Sequence, residues 1–528
     1  MASVEATYRR PQSLREKIGQ LIVTGFPGAS VTEELKALVR DWKIGNIILF
    51  SHNAENKSQL ARLCGDLQGL IGTETGYPAL ISIDQEGGRV TRLPRDAVNV
   101  PGAMAIAAAG DPSGALTAGR ITAAELRALG INFNLAPVLD INNNKRNPVI
   151  NVRSYGDTAE TVAKYGLQML RGLQEGGVLA ALKHFPGHGD TEVDSHLGLP
   201  SSGKTLAELE VLELLPFRAA IAAGAEAIMI AHMMFPAIEP RRVPATMSSV
   251  IVEDLLKGKL GYEGLVVSDC LEMDAVKKYY GTAQGALGAL KAGIHLLFVS
   301  HTPSLVRETV LAIEQAVQSG ELPMETVDRA VDKVLYYKEK YASGSEASPL
   351  SVVGCEAHRK EAAAISDASI CVVSGGLDPL LPGETRTLFV GSLPYRTDQA
   401  SSQVAGGLSF PDVMADRLGG GRMLVGIDPV EAEIDSVLRE AERYDRVVYG
   451  LFNGIDNPGQ LEVVRRLVAA GKRVTAVALG KPYDLEALEG VDCGLAAFEY
   501  TALSLESVAR VLSEKVRPAG RIGNVWHR

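Results

Sequence analysis

At 528 residues the chain is too long for one compact core and implies two or three domains. Its hydrophobic fraction of 46% and charged fraction of 22% are those of a globular protein. A formal charge of −10, with no basic cluster interleaved with aromatics, argues against a nucleic-acid partner. No window reaches the ~18 consecutive apolar residues of a membrane span, so no membrane partner is expected. Residues 1–10 lack the apolar stretch of a secretory signal, and Cys64, Cys270, Cys355, Cys371 and Cys493 are odd in number and far apart. Reduced thiols and a cytoplasmic location follow as expectations.

From the N-terminus, short apolar runs alternate with longer amphipathic stretches. The runs that read as strands are 21–26, 46–50, 79–84, 133–140, 181–185, 227–232, 264–270 and 296–300. Most are continuously apolar, as expected of parallel strands covered on both faces. Between them, 57–71, 158–175 and 205–223 read as helices, the last interrupted near Pro216. Eight strand–helix units in this length predict an N-terminal (β/α)8 barrel of the TIM type, with an open doubly wound sheet as the competing α/β arrangement. Polar residues favour the barrel: Asp84, Asp140, Lys183, His184, His232 and Asp269 all end strands, and a barrel gathers those ends around one mouth.

After a helix over 325–341, the small and polar residues 342–349 read as an interdomain linker. Strand candidates then resume at 369–374, 387–390, 423–427, 446–452, 473–479 and 493–498, which predicts an open-sheet α/β domain, an αβα sandwich. The expected division is 1–341 for a catalytic barrel, 342–365 for the linker and 366–528 for the second domain. Neither a G-x-G-x-x-G between strand and helix nor a G-x4-G-K-[ST] occurs, so no nucleotide cofactor is expected.

Three constellations carry chemistry. The first is the stretch from Lys183 through His184, Pro186, Gly187, His188, Gly189 and Asp190 to Asp194 and His196, which holds three of the nine histidines of the chain. A strand that runs into a polar, glycine-punctuated loop usually delivers side chains to a site. Asp194 beside His196 would raise the proton affinity of the imidazole, which suits a group that protonates a leaving atom and later deprotonates water. His184, His188, Asp190, Asp194 and His196 could instead ligate zinc or another metal that accepts imidazole and carboxylate, although Pro186 and the glycines oppose the helix that an H-x3-H pair usually needs.

The second constellation is Asp269, at the end of the apolar run before Cys270. A carboxylate at a strand end is partly desolvated and held from behind, as a nucleophile must be; the alternative role is a helix N-cap. The third is Asp84-Gln85-Glu86-Gly87-Gly88-Arg89-Val90-Thr91-Arg92. Its carboxylate can accept from vicinal hydroxyls, its arginines can donate in a fixed fork, and Arg153 offers a second fork ahead of the fifth strand. Together they suggest recognition of a polyol.

These three segments resemble glycoside hydrolase family 3, in its β-N-acetylglucosaminidase branch. The resemblance rests on Ile83–Val90, on Lys183–Gly189 running on to Asp194-Ser195-His196, and on Ser268-Asp269 ahead of Leu271-Glu272-Met273. It covers roughly the first 340 residues, and more loosely the second half, whose Pro518-Ala519-Gly520-Arg521-Ile522 is similar to the terminal segment of longer members. It implies Asp269 as nucleophile and His196 as acid/base assisted by Asp194. It further implies Asp84, Arg92, Arg153, Lys183 and His184 around the sugar, with no metal or other cofactor. The implied activity is retaining exo-hydrolysis of terminal β-linked N-acetylglucosamine from a muropeptide or chitin fragment. Phosphate in place of water, and less readily a metal-dependent hydrolase, remain alternatives. The sequence indicates no oligomeric state.

Overall fold

The computed structural model describes residues 8–191, 198–343, 348–380, 386–398, 400–402 and 406–527. The expected acid/base pair, Asp194 and His196, and linker residues 344–347 lie outside the described residues.

The first eight strands close into a parallel barrel in sequence order: β1 (Ile22–Thr24), β2 (Asn46–Leu49), β3 (Leu80–Ile83), β4 (Phe133–Asn134), β5 (Leu179–Phe185), β6 (Ala227–Ile230), β7 (Leu265–Cys270) and β8 (Leu296–Phe298). Closure is made by β8 on β1, with Ile22 opposite Leu297 and Val23 opposite Phe298. The open doubly wound alternative is therefore excluded for this half. Strands β2, β3, β5 and β6 are buried at every position, which is why they lack the alternation of a half-exposed sheet.

Two expected elements end differently. The run 133–140 pairs as a strand only over Phe133–Asn134, after which the chain follows the cis Ala136–Pro137 peptide along β5 and leaves Asp140 beyond the ladder. The helix expected over 205–223 breaks at Leu212–Glu213, not at Pro216, giving Leu206–Val211 and Leu214–Ala222. Pro216 falls in the first turn of the second piece, where its missing N–H has no helical partner to lose.

Six further strands form one sheet in the order β11-β10-β12-β13-β14-β9: β9 (Cys371–Gly375), β10 (Thr387–Ser392), β11 (Gly421–Val425), β12 (Arg446–Leu451), β13 (Arg473–Ala478) and β14 (Cys493–Ala496). All pairs are parallel except β14 with β9, which places an antiparallel strand on one edge. The helix Glu356–Ser369 enters this sheet from the barrel side, where the His358 imidazole lies 2.7 Å from the buried carboxylate of Glu125. Chain 520–527 returns to the barrel: Arg521 N–H donates to the Ala108 carbonyl, and His527 N–H donates to Asp157 Oδ2 at 2.8 Å. Among the described residues no helix is long and apolar enough to cross a membrane.

Candidate active site

A cavity of about 450 Å3 opens at the C-terminal ends of the barrel strands. Asp84 after β3, Lys183 and His184 on β5, and Asp269 on β7 all line it, together with Arg92 and Arg153. The structure thus brings together every expected site residue that it describes. A larger cavity of about 800 Å3 lies between the domains and contains none of them.

Asp269 is the penultimate residue of β7, not at a helix start: the next helix is Asp274–Lys277, whose N-cap is Met273. The Cys270 N–H donates to Asp269 Oδ1 at 2.7 Å. Behind it, His232 Nε2 donates to the Cys270 carbonyl at 2.9 Å, and His232 Nδ1 lies 2.7 Å from Thr246 Oγ1. The backbone that presents the carboxylate is therefore held by a buried side chain just beyond β6, which fixes the position of the carboxylate. Burial pushes the neighbouring Cys270 thiol up to about 12, so it contributes no thiolate.

The floor of the cavity is an ion network within the barrel. Lys183 Nζ donates to Asp84 Oδ1 at 2.7 Å and lies 2.7 Å from Glu86 Oε1. Arg153 grips the same Glu86 with two bonds, Nε to Oε2 at 2.8 Å and Nη2 to Oε1 at 2.7 Å. Burial opposes the charge on Glu86, but Arg153 and Lys183 outweigh it and hold the carboxyl well below the usual range. Burial also works against the Lys183 ammonium, and Asp84 and Glu86 prevail to raise its proton affinity. Paired in this way, three buried charges are tolerable and their side chains are immobilised.

A second network fixes His184. Its Nδ1 donates to Asp140 Oδ2 at 2.6 Å, and Asp140 Oδ1 accepts the His188 N–H at 2.7 Å. Desolvation would raise the Asp140 carboxyl, yet the facing His184 and His188 bring it below its ordinary value. Burial, reinforced by His184, pushes His188 down to about 4, so its ring is neutral at physiological pH. Gly189 is required here, because a Cβ would lie 1.6 Å from the Ile141 carbonyl oxygen. His188 lines the wall of the cavity.

The rim comes from the second domain. Residues 394–398 and 400–402, after β10, reach across, and Arg396, Ala400, Ser401 and Ser402 line the cavity. Arg92 is committed to this strap: Nη2 donates to the Ala400 carbonyl at 2.6 Å and Nη1 to Ser402 Oγ at 3.1 Å. Arg89 lies 3.0 Å from the buried carboxylate of Asp398. Glu86, Asp140 and Arg396 were not assigned to the site from sequence. Glu86 had a local signal, as a second carboxylate two residues beyond Asp84; Arg396 had none, since nothing near it in sequence marks proximity to the barrel mouth.

His184 and His188 are edge-on with ring centroids 5.8 Å apart. Among the described residues, no group of three or more histidine, cysteine, aspartate or glutamate side chains is placed to share a metal ion. The arrangement sets the Asp269 carboxylate in one cavity with a polar floor of Asp84, Arg153, Lys183 and His184.

Residues 13–336 match the family model described as glycosyl hydrolase family 3 N terminal domain. The chain is 35% identical over 373 residues to beta-hexosaminidase A of Pseudoalteromonas piscicida, covering 66% of this chain and 62% of that relative. It thus spans less than two thirds of that protein's length. A beta-hexosaminidase of Neisseria meningitidis serogroup C is 35% identical over 295 residues, 54% of this chain and 80% of its own. The structure superposes on a glycoside hydrolase family 3 beta-N-acetylglucosaminidase from Paenibacillus sp. str. FPU-7 with a TM-score of 0.91 and 38% identity, covering 97% of this chain and 98% of that one.

Proposed function

Because the chain belongs to glycosyl hydrolase family 3, we propose that it is a retaining exo-β-N-acetylglucosaminidase acting on terminal, non-reducing β-linked N-acetylglucosamine. The observation that carries this reading is the common cavity: Asp269 on β7 faces the same space as Asp84, Arg153, Lys183 and His184. Asp269 attacks the anomeric carbon as the glycosidic bond breaks, and His196, assisted by Asp194, protonates the departing oxygen. Water deprotonated by His196 then releases the sugar from the glycosyl–aspartate. The floor residues bind hydroxyls and the acetamido group. The relatives' names, beta-hexosaminidase and beta-N-acetylglucosaminidase, support the sugar assignment.

We place the chemistry in residues 1–341, with 366–528 as the second domain, and assign the protein to the cytoplasm, in keeping with its free cysteines. The natural substrate is a muropeptide or chitin fragment. One rival concerns the second step. A neutral imidazole as acid/base repels an anionic acceptor less than a carboxylate would, which admits phosphate in place of water. Release of sugar 1-phosphate on adding phosphate would establish that route, and free sugar alone would exclude it.

The primary test is trapping with a fluorinated N-acetylglucosaminide, followed by peptide mass mapping. A label on Asp269 supports the double displacement. Turnover without any adduct on an aspartate would overturn it in favour of attack by the substrate's own acetamido oxygen.

A further inference from the structure

Glu499 is a buried carboxylic acid that the proposed chemistry leaves without a role. It follows β14 of the second domain and is 5% exposed. Phe498, just before it, sits at φ 64, a conformation that a bulky residue adopts only when its surroundings impose it. That turn directs Glu499 out of its own domain and onto the barrel. Glu499 Oε2 accepts the Gly102 N–H at 2.8 Å, while Oε1 accepts from Thr501 Oγ1 at 3.0 Å.

Its seat is built from glycine. A Cβ on Gly88 would lie 2.5 Å from Glu499 Oε2, and one on Gly102 would lie 3.1 Å away. Gly88 also sits at φ 54 and its N–H donates to the Val100 carbonyl at 2.8 Å, so the carboxyl covers the back of a tight turn. On the front of that turn are Asp84 and Glu86, which organise the cavity floor. Glu86, Arg89, Arg153 and Glu499 also line one small cavity, so the brace and the clamp face each other directly.

We propose that Glu499 is a positioning residue for the sugar site: its carboxyl props the Gly87–Gly88 turn from behind, so that Glu86 holds Arg153 and Lys183 in register. The second domain then contributes twice to the site, through the strap at the rim and through this brace under the floor. The role of the floor in binding sugar rests on the functional reading above; the support of the turn does not.

The test compares the full-length wild type with Glu499→Gln and Glu499→Ala. Glutamine keeps an oxygen for the Gly102 N–H and places an amide against Thr501, so it should behave as wild type. Alanine removes the prop. With an aryl N-acetylglucosaminide, Glu499→Ala should raise KM about five- to tenfold, the scale of one lost buried hydrogen bond, with kcat changed less than twofold. Hydrogen exchange followed by mass spectrometry should be faster at backbone amides 86–90 in the alanine variant alone. A wild-type KM and wild-type exchange at 86–90 in Glu499→Ala, whatever its melting temperature, would overturn the brace. So would a glutamine variant as impaired as the alanine one. If the wild type fails to turn over the glycoside, the functional reading falls, and the exchange comparison alone still decides the brace.

Discussion

Arg153 and Arg92 border the same cavity but are held by different domains. Arg153 is clamped by Glu86 within the barrel, and although burial works against its charge, Glu86 keeps its pKa raised. Among the described residues Arg92 has no carboxylate in its hydrogen-bonding shell; it donates to Ala400 and Ser402 of the second domain, and burial lowers its pKa. The ion pairs of the floor are therefore all made within the barrel, whereas the rim exists only because another domain is docked there. A charge paired with a charge is fixed by its own network, and a charge paired with carbonyl dipoles is fixed by whatever holds those dipoles in place.

The sharpest way to test the floor as a working surface is to silence the nucleophile beside it. Asp269→Asn should lower kcat by about 10^4-fold or more while the floor still binds product sugar, measured by turnover and by calorimetric titration. Binding lost together with turnover would mean that the floor does not hold the ring independently. Glu86→Gln comes next. It leaves Arg153 and Lys183 buried with one anion fewer, and should cost about 3–5 kcal/mol in denaturant unfolding. Wild-type stability in that variant would mean that the floor is not held by its charges.

The interface between the two regions has its own pH signature. Burial pushes the Glu499 carboxyl up to about 7, above its value in the unfolded chain. Its contribution to stability is then fully present below the unfolded value and is lost as pH rises through about 7. Relative to Glu499→Gln, the wild type should lose up to about 3 kcal/mol between pH 5 and pH 8, read from unfolding curves across that window. Parallel pH profiles for the two proteins would remove Glu499 as the cause. The smallest effect is expected at the rim: Arg92→Ala should reduce kcat/KM about tenfold with little change in melting temperature. A loss equal to that of Arg153→Ala would abolish the distinction drawn between the two arginines.

The floor was readable in the chain because its members sit next to strand ends. An apolar run that stops at Asp84, or at Lys183 and His184, announces both the strand and the place where its last side chains emerge. The same logic located Asp269 but left a helix cap open as its role until β7 was seen to carry it and Met273 to cap the next helix. Glu86 was visible in its motif yet unassigned, since its clamp on Arg153 joins residues 67 positions apart. The early end of β4 was not legible because 135–139 is apolar throughout, and apolarity reports burial and not ladder pairing.

Local chemistry in the chain was enough to establish eight buried strands, the side chains at their tips and the family resemblance, because each depends on residues within a few positions of one another. Which side chains outside the barrel complete the site was settled only by folding. Arg396, Ser402 and Glu499 reach it through the docking of two separately built sheets, and nothing in the period or composition of a strand encodes the angle at which another domain will come to rest.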